Sequence, residues 1–246
     1  AKGVAGMAYG AKVVPVRGPY TAVVLERHGI TNFAVLGCPS NFIHPARDLG
    51  ARILRRWRER REMLAYAPTF YSYTAEVELA ILRAFEGRIA EIVAQDPEEA
   101  VAIARGERSP ALEEYLAAKA GFLSRLEGAE RRQAVRMMRA YFGADAWMES
   151  YLRFDGVIGT RIHGINLGWQ AGRAAMVVSY DLRTEELADT MGVPMVKAST
   201  VRQDTIEAQF DERVEACAAT YDARRAVLAA GMAEVMRANG LTPGAT

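Results

Sequence analysis

The segment Asp155-Gly-Val-Ile-Gly-Thr-Arg-Ile-His-Gly164 carries the residues best suited to chemistry. Arg161 presents a planar fork of N–H donors that matches the oxygens of a carboxylate or phosphate. His163, two positions on, exchanges a proton near neutral pH. Gly164 lets the backbone come close to a bound group. A second basic segment, Ser179-Tyr-Asp-Leu-Arg-Thr-Glu-Glu-Leu187, adds Arg183 as another fork, with Asp181 placed to orient Arg183 or His163. Arg17, next to Gly18, is a further donor at the end of an apolar run. The set suits a small, highly charged anion. The same spacing also suits an ion pair across a loop for Arg161 and a satisfied buried histidine for His163.

These residues need elements that bring them together. Short apolar runs alternate with helical spacing, which implies parallel strands joined by crossover helices. Strands are expected at 13–16, 33–36, 67–73, 88–95, 155–160, 175–180 and 194–198. Helices are expected at 20–27, 51–64, 75–85, 165–171, 185–191 and 210–238. Residues 105–150 read as mostly helical and charged. Asp96-Pro97 reads as a helix start with Asp96 as N-cap, Thr184 as the cap of 185–191, and Gly172 as a helix stop. In open sheets of this kind ligands sit beyond the carboxyl ends of the strands. Arg161, His163 and Gly164 occupy that place for the strand 155–160, and the following helix aims free amides at the same space.

Other chemistries find little support. Three histidines stand outside any His-x-x-x-His or Cys-x-x-Cys setting, so no metal site is expected. No phosphate-binding Walker loop, dinucleotide fingerprint or nucleophile elbow is present. Cys38, in Gly37-Cys-Pro-Ser40, has no histidine beside it in sequence, which favours a tight turn near the ligand over a thiol nucleophile.

Composition sets the outer bounds. A chain of 246 residues, 50% apolar and 25% charged, buries a proper core in one large or two small domains. A net charge of +1 argues against nucleic-acid binding. Of the 31 cations 27 are arginine; six of them crowd the helix 51–64, a run that usually makes a solvated face. No run of about 18 apolar residues predicts a transmembrane segment, and two distant cysteines make no disulfide framework. A cytoplasmic protein is expected, with the inner face of the cell membrane as the alternative placement.

In order along the chain, Val16-Arg-Gly-Pro-Tyr-Thr21, Leu36-Gly-Cys-Pro-Ser-Asn-Phe42, Phe154-Asp-Gly-Val-Ile-Gly-Thr-Arg-Ile-His-Gly164, Gln170-Ala-Gly172 and Tyr180-Asp-Leu-Arg-Thr-Glu-Glu-Leu187 resemble the polysaccharide pyruvyl transferase family. The resemblance implies an α/β fold of Rossmann-like parallel sheets with flanking helices, two-lobed and glycosyltransferase (GT-B)-like. It also implies that most of the N-terminal lobe is absent here. Residues 1–45 are then the remnant of that lobe, 46–205 the C-terminal Rossmann-like lobe, and 206–246 a C-terminal helix. The implied donor is phosphoenolpyruvate, with no cofactor and no metal. The implied acceptor is a saccharide, lipid-linked in one version, and the product a pyruvate ketal on a cell-envelope glycan such as an exopolysaccharide. Arg161 and His163 are implied to hold the donor and act in catalysis, with Gly164, Arg183, Arg17 and Asp181 as further donor contacts. Arg173-Ala-Ala175 replaces the more usual Val-Pro of the family, a change read as packing. A nucleotide-sugar glycosyltransferase of the same architecture and a non-catalytic anion- or glycan-binding lobe stand as alternatives.

Overall fold

The computed structural model describes residues 10–243; residues 1–9 of the first expected unit lie outside that range. Eight strands fall into two sheets, and every pairing is parallel. The small sheet joins β1 (Val14–Val16) to β2 (Phe33–Val35), with helix α1 (Pro19–Arg27) between them.

The large sheet holds β3 (Leu64–Ala67), β4 (Ile89–Val93), β5 (Met138–Arg139), β6 (Gly156–Gly159), β7 (Ala174–Ser179) and β8 (Met195–Lys197). Its spatial order is β5-β4-β3-β6-β7-β8. Counted within this unit that is 3-2-1-4-5-6, the doubly wound Rossmann order, whose direction reverses between β3 and β6. The chain is therefore α/β with a Rossmann-like parallel sheet. The run Ala174–Ser179 is buried throughout, as is Gly156–Gly159. Helices cover both faces of such strands, so they carry apolar runs in place of alternation.

The covering helices are α2 (Leu49–Glu59), α3 (Ala75–Ala84), α4 (Glu98–Ala104), α5 (Pro110–Ala118), α6 (Gly128–Met137), α7 (Ala144–Tyr151), α8 (Ile162–Gln170), α9 (Leu182–Met191) and the long α10 (Ile206–Ala238). One core runs through them, with Trp57, Trp169, Tyr151, Phe122 and Phe210 among its largest buried side chains. Helix α10 fastens the edges. Asp222 accepts from the amides of Gly50 and Ala51, at 2.7 and 3.2 Å, and so caps α2 from outside it. Asp211 accepts from Trp57 Nε1 at 2.9 Å and pairs with Arg61 at 2.8 Å. Other arginines of α2 make exposed pairs, Arg52 with Asp48 and Arg58 with Glu215, worth little individually.

The small sheet is tied on at two places. Leu36 packs with Leu228 and Val235 of α10. The start of α1 is held by Glu186 of α9, whose carboxylate accepts from the Tyr20 amide at 2.6 Å.

Several boundaries differ from the sequence expectation. The strand expected at 67–73 lies at Leu64–Ala67, since Pro68 lacks an amide and Phe70 takes a positive φ of 61°. Helix α8 starts at Ile162 rather than 165, making Arg161 its N-cap and placing His163 in its first turn. Helix α9 starts at Leu182, capped by Asp181 instead of Thr184. Asp96 does not cap α4, whose N-cap is Pro97. The edge strand β5 was hidden in the charged stretch 105–150 because it is only two residues long.

Candidate active site

The mouth between β3 and β6 is built by local necessity. Gly159 runs so close to β3 that a Cβ there would sit 2.1 Å from the Ala67 carbonyl oxygen. The ladder continues one step past the strands, with the Arg161 amide donating to Ala67 O at 3.0 Å. Beneath this step lies a buried polar knot. The Glu78 carboxylate accepts from the Thr69 amide at 2.7 Å, from Thr69 Oγ1 at 2.8 Å and from Thr160 Oγ1 at 2.6 Å. Burial raises the Glu78 titration and these hydrogen bonds oppose the rise. The knot locks the loops after β3 and β6 together and so fixes where Arg161 leaves the sheet.

Arg161 is largely buried and pairs with Asp96 at 3.1 Å through Nη2. The same Nη2 also reaches the Asp96 carbonyl oxygen, at 3.3 Å. The Tyr71 hydroxyl donates to the same carboxylate at 2.5 Å. Burial works to raise the Asp96 titration, but Tyr71 and Arg161 together hold it below the ordinary range. Arg161 Nε is buried without a partner. Among the described residues only one of its three nitrogens, Nη2, is hydrogen-bonded.

His163, in the first turn of α8, acts instead on the titration of the Cys38 thiol in the loop after β2. Ser40 Oγ also donates to Cys38 Sγ at 3.0 Å, and Asn166 Nδ2 donates to Ser40 Oγ at 2.9 Å. The hydrogen bond from His163 is the main reason the Cys38 titration falls from 9.0 to about 6, against burial and with help from Ser40 and the charge of Arg17. The loop after β2 thus supplies a thiol of lowered titration, and the first turn of α8 the imidazole that lowers it.

The remaining sequence candidates are placed as follows. Arg17 is exposed after β1, near enough to act on Cys38. Arg183 is exposed in the first turn of α9. Asp181 accepts from the Thr184 amide at 2.7 Å as the N-cap of α9. The described residues give it no bond to Arg183 or His163; its carboxylate is engaged by the helix start. Gly164 has a packing role beside the one expected from the sequence. Gly164 is buried, and a Cβ there would lie 2.8 Å from Ala67 Cβ and 3.1 Å from Trp147 Cζ2. Its missing side chain admits the neighbouring strand and helix.

Sequence reading missed three contributors. Asp96 and Tyr71 stand just past β4 and β3, the position it weighed for Arg161. Cys38 was set aside because its histidine is distant in sequence, although it too follows a strand end. Two cavities stand apart from this edge. One of 170 Å³ lies between α3 and α6. The other, of 320 Å³, is lined by Arg52, Arg55, Arg56 and Arg173. Neither includes Arg161 or His163. Arg173, read as a packing change, donates to the carbonyl oxygens of Tyr151 and Leu152 at 3.1 and 2.8 Å.

No helix among the described residues is long and apolar enough to cross a membrane. No curated protein and no solved structure matches the chain. The model of one family, polysaccharide pyruvyl transferase, matches residues 8–181, a stretch that takes in both strand mouths, Cys38, Asp96, Arg161 and His163. By that match the chain belongs to the polysaccharide pyruvyl transferase family.

Proposed function

We propose that this protein transfers the pyruvyl group of phosphoenolpyruvate to two hydroxyls of a saccharide, forming a cyclic ketal and releasing phosphate. The observation that supports this reading is the family match over residues 8–181, a stretch that carries Arg161 and His163 just after β6, beside the switch point between β3 and β6. Phosphoenolpyruvate brings a carboxylate and a phosphate, and the planar guanidinium of Arg161 suits either. Arg183 and Arg17 supply further positive charge from the flanking loops.

The chemistry divides among few groups. His163 gives a proton to the donor methylene, which becomes a methyl group and leaves an oxocarbenium-like carbon. One sugar hydroxyl adds to that carbon, and its proton passes to the phosphate, which leaves as hydrogen phosphate. Arg161 offsets the charge of the departing group. The second hydroxyl closes the ring and gives up its proton, so the acid is restored. In this reading the small sheet belongs to a facing lobe of a two-lobed, GT-B-like enzyme. The acceptor is a cell-envelope glycan or its lipid-linked precursor, met at the inner face of the membrane.

The test is direct. The protein is incubated with phosphoenolpyruvate and a simple β-galactoside or a glycan fraction, and released phosphate and a ketal-bearing product are measured. Protection from heat by phosphoenolpyruvate, with acceptor-dependent phosphate release, is expected. Protection by a sugar nucleotide and not by phosphoenolpyruvate would replace this reading with glycosyl transfer.

A further inference from the structure

Three tyrosines gather at the carboxyl edge of the large sheet. Tyr71 and Tyr73 lie at the turn after β3, and Tyr180 follows β7. Because β6 runs between β3 and β7, the group spans the mouth from which Arg161 emerges. The rings of Tyr71 and Tyr73 stack with centroids 5.2 Å apart and 24° between planes. Tyr73 and Tyr180 meet at 5.6 Å with a tilt of 58°. The Tyr71 hydroxyl is bonded to Asp96, the partner of Arg161. Yet Tyr73 itself is 70% exposed. Its ring does little for the core, and a large aromatic surface left open beside a charged site marks a binding surface.

The chemistry of the occupant follows from these groups. An aromatic face is electron-rich. The C–H bonds along one face of a pyranose are weakly positive, while its hydroxyls point outward in the ring plane. A hexopyranose therefore stacks on tyrosine and turns its hydroxyl edge to neighbouring polar groups, here Asp96, Arg161 and the tyrosine hydroxyls. Family membership supplies a saccharide as the acceptor.

We propose that Tyr73, braced by Tyr71 and Tyr180, is the acceptor platform, stacking a hexopyranose so that its paired hydroxyls face the donor held by Arg161. The placement of the hydroxyls rests on the pyruvyl-transfer reading; the stacking itself does not.

Saturation-transfer NMR with methyl β-galactoside and methyl β-mannoside as probes tests the stacking. Saturation of the ring C–H protons is expected with the intact protein, lost in Tyr73→Ala and kept in Tyr73→Phe. In turnover with phosphoenolpyruvate, Tyr73→Ala raises the acceptor KM about two- to tenfold, the worth of one aromatic contact, and leaves heat protection by the donor unchanged. No saturation from the intact protein to either pyranoside overturns the proposal, as does stacking of a uridine nucleotide alone. An unaltered acceptor KM in Tyr73→Ala also overturns it while pyruvyl transfer stands. A Tyr73-dependent sugar signal without any transfer from phosphoenolpyruvate supports the platform and removes the pyruvyl-transfer reading.

Discussion

Cys38 Sγ accepts from Ser40 Oγ at 3.0 Å in the loop after β2, and the His163 imidazole first, with Ser40 helping, pulls the thiol titration from 9.0 to about 6. A lowered acid titration means that the folded protein gives up this proton before the unfolded chain does. Stability then rises as pH climbs from about 6 towards 9, and that contribution is lost as pH falls through 6. Thiolate absorbance followed against pH should show a midpoint near 6 that Cys38→Ser removes. His163→Ala, which deletes the leading cause, should move the midpoint up. Cys217, raised by burial, stays protonated in this range. A midpoint that ignores His163→Ala would break the pair.

The His163 imidazole is the group assigned the proton transfers in the proposed reaction. His163→Ala should therefore lower turnover by roughly two to four powers of ten, the usual worth of one general acid. The donor should still protect the variant from heat, since Arg161 is untouched. Near-normal turnover would remove His163 from the proton transfers.

Much of this frame could be read from the chain, for physical reasons. The alternation of apolar runs and helical spacing gave the parallel α/β class, because buried parallel strands are apolar on both faces. The spacing of Arg161 and His163 just past an apolar run placed both at the carboxyl end of β6, and only the strand order makes that end a switch point. What stayed hidden was long-range. Asp96 looked like a cap, and only the fold turns its carboxylate towards Arg161. Cys38 looked idle because its histidine arrives from another sheet. The strand at 67–73 was placed too late because its tyrosines suit strands, whereas Pro68 and the left-handed Phe70 end pairing at Ala67.

Arg161 engages Asp96 through Nη2, while its Nε is buried without a partner. A lysine keeps the charge but presents a single point of contact. Arg161→Lys should weaken donor binding about ten- to a hundredfold, the range of one charge-assisted hydrogen bond, while the melting temperature changes little. Titration calorimetry with phosphoenolpyruvate reads the loss. Unchanged affinity would mean that this fork does not touch the donor.

Glu78 is fully buried, and three donors end on one of its oxygens. Glu78→Ala strands all three and should cost at least about 3 kcal/mol. Glu78→Gln retains an accepting oxygen and should cost less. Burial raises the carboxyl titration, so the group favours the fold at low pH and that benefit is lost as pH rises through its folded titration. Denaturation at several pH values should show this decline in the parent and not in Glu78→Gln. Parallel curves would place the pH dependence elsewhere.

Gly164 separates packing from binding at the heart of the site. Its Cβ position is already claimed by Ala67 and Trp147, two buried groups with backbone or a bulky ring behind them. Neither is a flexible chain end that swings aside. Gly164→Ala should therefore destabilise the fold by about 1–3 kcal/mol through overpacking. Donor affinity, measured well below the melting transition, should fall less than in Arg161→Lys, because the added methyl points into the sheet and away from the strand mouth. A variant as stable as the parent that no longer binds phosphoenolpyruvate would return Gly164 to the ligand.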